Sequence, residues 1–129
     1  MPSPVASIER FTSAYVNWNA WNVTQRLLGL ARASVGQARS EMVLAAAETR
    51  SDTTLRQGGI SNAGVVEAVA PRIGHPRQYL VVTRESTAAA DSAAYQGLAP
   101  AWHLTLVTVV AFGPAWHRRW VVSGWQPEN

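Results

Sequence analysis

Residues 102–125, WHLTLVTVVAFGPAWHRRWVVSGW, predict two strands joined by the loop Gly113–Arg118. From Trp102 to Phe112 nearly every residue is apolar, β-branched or aromatic, the composition that a pleated and buried surface favours. Gly113 and Pro114 end the run, because proline supplies no backbone donor and glycine lets the chain turn. Arg119 to Trp125 then returns with Trp120, Val121, Val122 and Trp125. This hairpin is the centre of a sheet, and the rest of the chain has to supply its neighbours.

Working backwards, Tyr79–Thr87 (YLVVTREST) predicts the preceding strand. Val65–Ala70 predicts the one before it, stopped by Pro71. Gly74 and Pro76 make Arg72–Arg77 a hairpin loop. Ala88–Ala94 is a small-residue connection containing Asp91 and Ser92, and Tyr95–Pro100 is either a bulged start to the next strand or a loop laid over the sheet.

Ahead of Gly58 and Gly59 the period is helical. Ser3 and Pro4 form a helix start, and Ile8, Phe11, Tyr15 and Trp18 share one face, predicting a helix over Pro4–Trp18. Asn22 with Gln25 resembles a capping box ahead of Val23, Leu27, Leu28 and Leu30, in a helix that ends near Ala33. Ser34 with Gln37 repeats the pattern before the alanine-rich helix Val35–Arg50. Asp52 suits a cap, and Thr54–Gln57 has room for one further turn. Helices followed by four antiparallel strands predict an α+β domain with the helices packed on one face of the sheet.

The chain has 129 residues, which fits one domain over 1–129. Hydrophobic residues at 47% against charged residues at 15% place it among globular proteins. Without cysteine, disulfides and thiolate chemistry are excluded. The net charge of +3 is carried by arginine alone. Those arginines are spread from Arg10 to Arg119 with only Arg118 and Arg119 adjacent, which argues against a clustered nucleic-acid stripe. There is no apolar run of membrane-spanning length, and Pro2 and Pro4 interrupt what would be a signal peptide.

Several stretches carry a resemblance: FTSAYVNW (11–18), LARASVGQAR (30–39), YLVVTRES (79–86), YQGLAPAWHLTL (95–106) and WVVSGWQPEN (120–129). They look similar to actinobacterial mobile-element proteins and, through them, to the conjugation-protein branch that includes TcpC and the inner-membrane assembly subunits of type IV secretion systems. With the element order, this resembles the nuclear transport factor 2-like, or cystatin-like, superfamily. The resemblance implies a curved, cone-like sheet whose concave side is filled by the N-terminal helices. It also implies an assembly role without cofactor, with further copies of the chain and other conjugation or secretion subunits as partners. Members of that branch carry an N-terminal membrane helix and place this domain outside the cytoplasm; no such helix is present in this sequence. The same fold hosts isomerases and dehydratases, so function has to be argued from a site.

Enzymes on such a fold use a buried acid or base inside the cone. His103 is the general-base candidate by side-chain type, with Tyr15 as its partner. No carboxylate stands at a sequence spacing that would orient it, so a satisfied histidine is the plainer reading. Glu67 and Glu85 lie in strands and read as exposed carboxylates, and His75 and His117 fall in loops. Scattered histidines do not make a metal site. Asn22–Val23–Thr24 matches a glycosylation sequon by chance at a helix start. Tyr15, Trp18, Trp102 and Trp125 are candidates for lining an aromatic cavity, and core packing is the plainer reading for them too.

Both faces of the central strand are apolar: Trp102, Leu104, Leu106, Val110 and Phe112 on one, Val107, Val109 and Ala111 with His103 and Thr105 on the other. Tyr79 and Val81, with Leu80 and Val82, repeat the effect. A sheet covered by helices on one side should be polar on the other, so a second subunit is expected to cover the remaining face. Val107, Val109, Tyr79 and Val81 are the expected contact residues.

Overall fold

In the computed structural model, which describes residues 3–90 and 99–128, Ser3 Oγ accepts the Ala6 amide at 3.1 Å and helix α1 runs over Pro4–Val16. The cap and Pro4 act together, since proline removes a donor that the first turn leaves without a partner. Helices α2 (Val23–Arg32), α3 (Gly36–Ser51) and the short α4 (Thr53–Gly58) follow. Asp52 caps α4 by accepting from the Thr54 and Leu55 amides at 3.0 and 3.4 Å.

The two expected capping boxes do not form. Asn22 Oδ1 accepts from the Asn19 amide, and Ser34 Oγ donates back to the Leu30 and Ala31 carbonyls. At both helix starts the side chain bonds instead to backbone three or four residues back.

The sheet has five antiparallel strands in chain order and curls into a half-barrel, one strand more than the sequence predicts. The additional strand, β1 (Trp18–Asn19), pairs with Asn62 and Ser61. Two residues are too short to show alternation, and Trp18 therefore leaves the helix expected to contain it. Strand β2 covers Ile60–Pro71, twice the predicted length, because Ile60 to Gly64 pair with the far end of the next strand despite their weak strand propensity. Then come β3 (Gln78–Ala89), β4 (Ala101–Phe112) and β5 (Arg119–Pro127). Of the Ala88–Ala94 connection, Ala88 and Ala89 belong to β3 and Ala90 to a turn. The remainder, with Asp91 and the start of Tyr95–Pro100, lies outside the described residues.

The core joins the helices to one face of the sheet. Ile8 and Phe11 of α1, Leu27 and Leu30 of α2, and Ala38, Met42 and Ala46 of α3 pack on Val81, Val107, Val109, Val122 and Trp125. Val81 and Val107 are 0% exposed and Val109 is 1% exposed. The expected contact residues therefore point inward, with Tyr79 packed against the same core. Strand parity shows that both faces are apolar but does not say which one the helices take. The other face carries Leu80 opposite Leu106, with Val82 and Val110 alongside; Val121, opposite Val110, is itself buried.

At each margin of the sheet a side-chain amide occupies part of the edge. Asn17 donates to the Gly64 carbonyl and accepts the Gly64 amide, each at 3.0 Å, extending the short β1 along β2. Gly64 allows this closeness, since a Cβ there would stand 2.8 Å from Val16 Cγ2. At the other margin Gln37 donates to the Trp125 carbonyl at 3.0 Å and accepts its amide at 2.6 Å. Val35 adds a bond to the Val122 carbonyl. Some of the backbone groups that would otherwise invite another strand are thereby occupied.

Candidate functional site

The register places a polar cluster on the inner face at the end of the sheet where β1 lies. Asn62, Thr83, Glu85 and Thr87 alternate along β2 and β3, and His103 stands opposite Thr83. Glu85 accepts from Asn62 Nδ2 at 3.0 Å and from Thr83 Oγ1 at 2.7 Å. Asn62 also donates to the Val16 carbonyl at 2.7 Å and accepts from Thr87 Oγ1 at 2.9 Å. The side chain of Glu85 is only 18% exposed, so it is a half-buried acceptor whose oxygens already have donors.

His103 Nε2 lies 4.0 Å from Glu85 Oε2. That is ion-pair range for a protonated imidazole and too long for a hydrogen bond. Glu85 is thus not the exposed carboxylate expected from sequence, whereas Glu67 is a surface residue paired with Arg84 at 3.2 Å.

Tyr15 sits deeper, its ring 4.8 Å from that of Trp125, which also meets Phe11 at 5.1 Å. Burial pushes the Tyr15 hydroxyl above its ordinary value of 10.0; the Trp125 indole works against this, and the Glu85 and Glu41 charges add to it. The Trp125 Nε1–H influences that hydroxyl electrostatically but makes no hydrogen bond of acceptable geometry among the described residues. At neutral pH the phenol is protonated, able to donate but not to act as a base.

The expected aromatic lining divides. Tyr15 and Trp18 border a small gap between α1 and α2, with Val23, Leu27 and Leu30, that has no room for a water molecule. Trp125, 2% exposed, belongs to the core. Trp102 is 57% exposed on the outer face, with the Arg84 guanidinium 5.8 Å from its ring centre. It is one residue out of phase with the inward set and cannot line the same space as Trp125. Among the described residues no group of three His, Cys, Asp or Glu side chains converges as a metal site.

An apolar hollow lies elsewhere. It is an open cleft of about 330 Å³ between α1, α2 and β5, bordered by Ser7, Arg10, Phe11, Leu30, Arg119 and Trp120. None of the Glu85 cluster reaches it.

Sequence reasoning missed Asn62 and Thr83 as partners of Glu85, and Asn17 and Gln37 as margin caps. No local pattern marks them, because each acts on a residue brought close only by strand register or helix packing. No protein-family model matches the chain, and no curated protein is significantly similar to it.

Proposed function

We propose that this domain is a non-enzymatic assembly module of the nuclear transport factor 2-like type. It acts in a conjugative-transfer or secretion-like machine by pairing with a second copy through the outer face of its sheet. The observation that carries the reading is that Leu80, Val82, Leu106 and Val110 are apolar yet stand outside the helix-covered core. The motif resemblance supplies the machinery. The Asn17 and Gln37 caps occupy part of each margin, which favours a contact through the face over strand addition at those positions.

The competing reading, an isomerase or dehydratase using His103 with Tyr15, gains from the approach of His103 to Glu85 and loses because the Glu85 oxygens are already held by Asn62 and Thr83.

Sedimentation equilibrium of the wild type against a Leu80→Glu, Leu106→Glu double variant tests the proposal. We expect a dimer for the wild type, with a buried area above roughly 1,000 Å² in total. The variant should be a monomer with unchanged circular dichroism, because each subunit would have to bury two unpaired carboxylates in the contact. A wild type that stays monomeric at high concentration, or a variant that still dimerises, would sink the proposal.

A further inference from the structure

The two most exposed large hydrophobic residues among those described are Ile73, 98% exposed, and Trp116, 86% exposed. Both sit on hairpin loops, and the up-and-down strand order puts those loops at the same end of the sheet. The β2–β3 loop also lies against β4, since the Val109 amide donates to the Arg77 carbonyl at 3.0 Å and the loop shares a shallow hollow with Thr108 and Val110. Trp21, also exposed, is at the opposite end beside β1.

Local geometry aims each side chain outward. The His75 amide donates to the Arg72 carbonyl at 3.1 Å and Gly74 has φ +82°, so Arg72–His75 is a type II turn with Ile73 at its leading corner. In the second loop Gly113, at φ +102°, packs so tightly that a Cβ would lie 2.5 Å from the His117 carbonyl. The 3-10 turn Ala115–His117 then presents Trp116. A single exposed apolar residue is ordinary. Two at the corners of adjacent turns, where folding has no use for them, require another account.

Charge completes the pattern. Arg72, Arg77, Arg118 and Arg119 flank the two tips, neither hairpin loop contains a carboxylate, and among the described residues none of the four arginines makes an ion pair. Arg119 is held over the Phe112 ring at 5.5 Å and Arg72 donates to the Gln78 side chain at 2.6 Å. Guanidinium groups ringing an indole and an aliphatic tip match the chemistry of a bilayer interface, where apolar atoms enter the acyl boundary and cations meet phosphates.

We propose that the two hairpin tips form a docking surface for an anionic lipid bilayer, with Ile73 and Trp116 entering the interface and Arg72, Arg77 and Arg118 pairing with headgroup phosphates. A nucleic acid would use the arginines and could stack on Trp116, but it gains nothing from Ile73. The β2–β3 loop borders Val110 at the margin of the outer face, but Ile73 and Trp116 are not among the residues proposed to pair, so this inference does not rest on self-association.

Co-sedimentation with vesicles tests it. The wild type should bind phosphatidylcholine vesicles containing phosphatidylglycerol, fail to bind pure phosphatidylcholine, and release as salt rises. An Ile73→Ser, Trp116→Ser variant should bind at least tenfold more weakly. An Arg72→Gln, Arg77→Gln, Arg118→Gln variant should lose about fivefold per arginine. All five positions are exposed, so circular dichroism should not change in either variant. No binding of the wild type to the anionic vesicles overturns the proposal. So does binding that survives loss of Ile73 and Trp116, and so does duplex DNA that binds more tightly than vesicles and is indifferent to the serine substitutions.

Discussion

Tyr15 shows what one side chain contributes and what it does not. Its hydroxyl is shielded by α1 and Trp125, and burial is the main reason that its acidity falls. Because the folded-state value lies above the unfolded one, the folded protein holds this proton more tightly. The associated stability is fully present below pH 10.0 and is lost as pH climbs from there through the folded value. Urea midpoints taken at about pH 9 and about pH 11, either side of the ordinary tyrosine value, should therefore drop for the wild type. They should drop less for Tyr15→Phe, which keeps the ring contacts and has no proton to lose. Equal drops in the two proteins would show that Tyr15 does not ionise with unfolding.

Among the elements, β4 decides most and is the most instructive. Its inward side chains are core, so Val107→Asp places a carboxylate at a site 0% exposed, where no donor is ready for it. We expect loss of the cooperative thermal transition, whereas Leu106→Glu on the adjacent outward position should retain it; comparison of the two melts checks the assignment of faces. The alternation of β4 was legible in the sequence, and so were α1, α3 and the Asp52 cap, since each depends on residues close in the chain. Which side of β4 faces the helices was not legible, because Val107 and Leu106 are equally apolar. Strand β1, the first half of β2 and the Glu85 cluster were also hidden. The start of β2 and the cluster follow from pairing with β3, and β1 in turn from pairing with β2; Asn62, Ala63 and Gly64 look like a turn until Thr87, Ser86 and Glu85 lie opposite. His103 was legible as a candidate by type, but its 4.0 Å approach to Glu85 depends on the same register.

At the scale of the molecule, the first helix closes on the last strand. Phe11 and Tyr15 flank Trp125, and Gln37 holds the backbone of that same residue. A chain stopped after Arg118 would expose these aromatic rings and the Val109 side of β4. It should lose its cooperative melt and bind a hydrophobic dye, and a truncated chain that melts like the wild type would contradict the closure. The same arrangement sets a schedule in the cell. Helix α1 leaves the ribosome long before its packing partner is made, and at ordinary synthesis rates the interval is on the order of ten seconds. Throughout it the apolar stripe of Ile8, Phe11 and Tyr15 can rest on α2 and then β2 but lacks the Trp125 ring that completes its cover, which makes the nascent chain a natural client for a holding chaperone until Trp125 emerges.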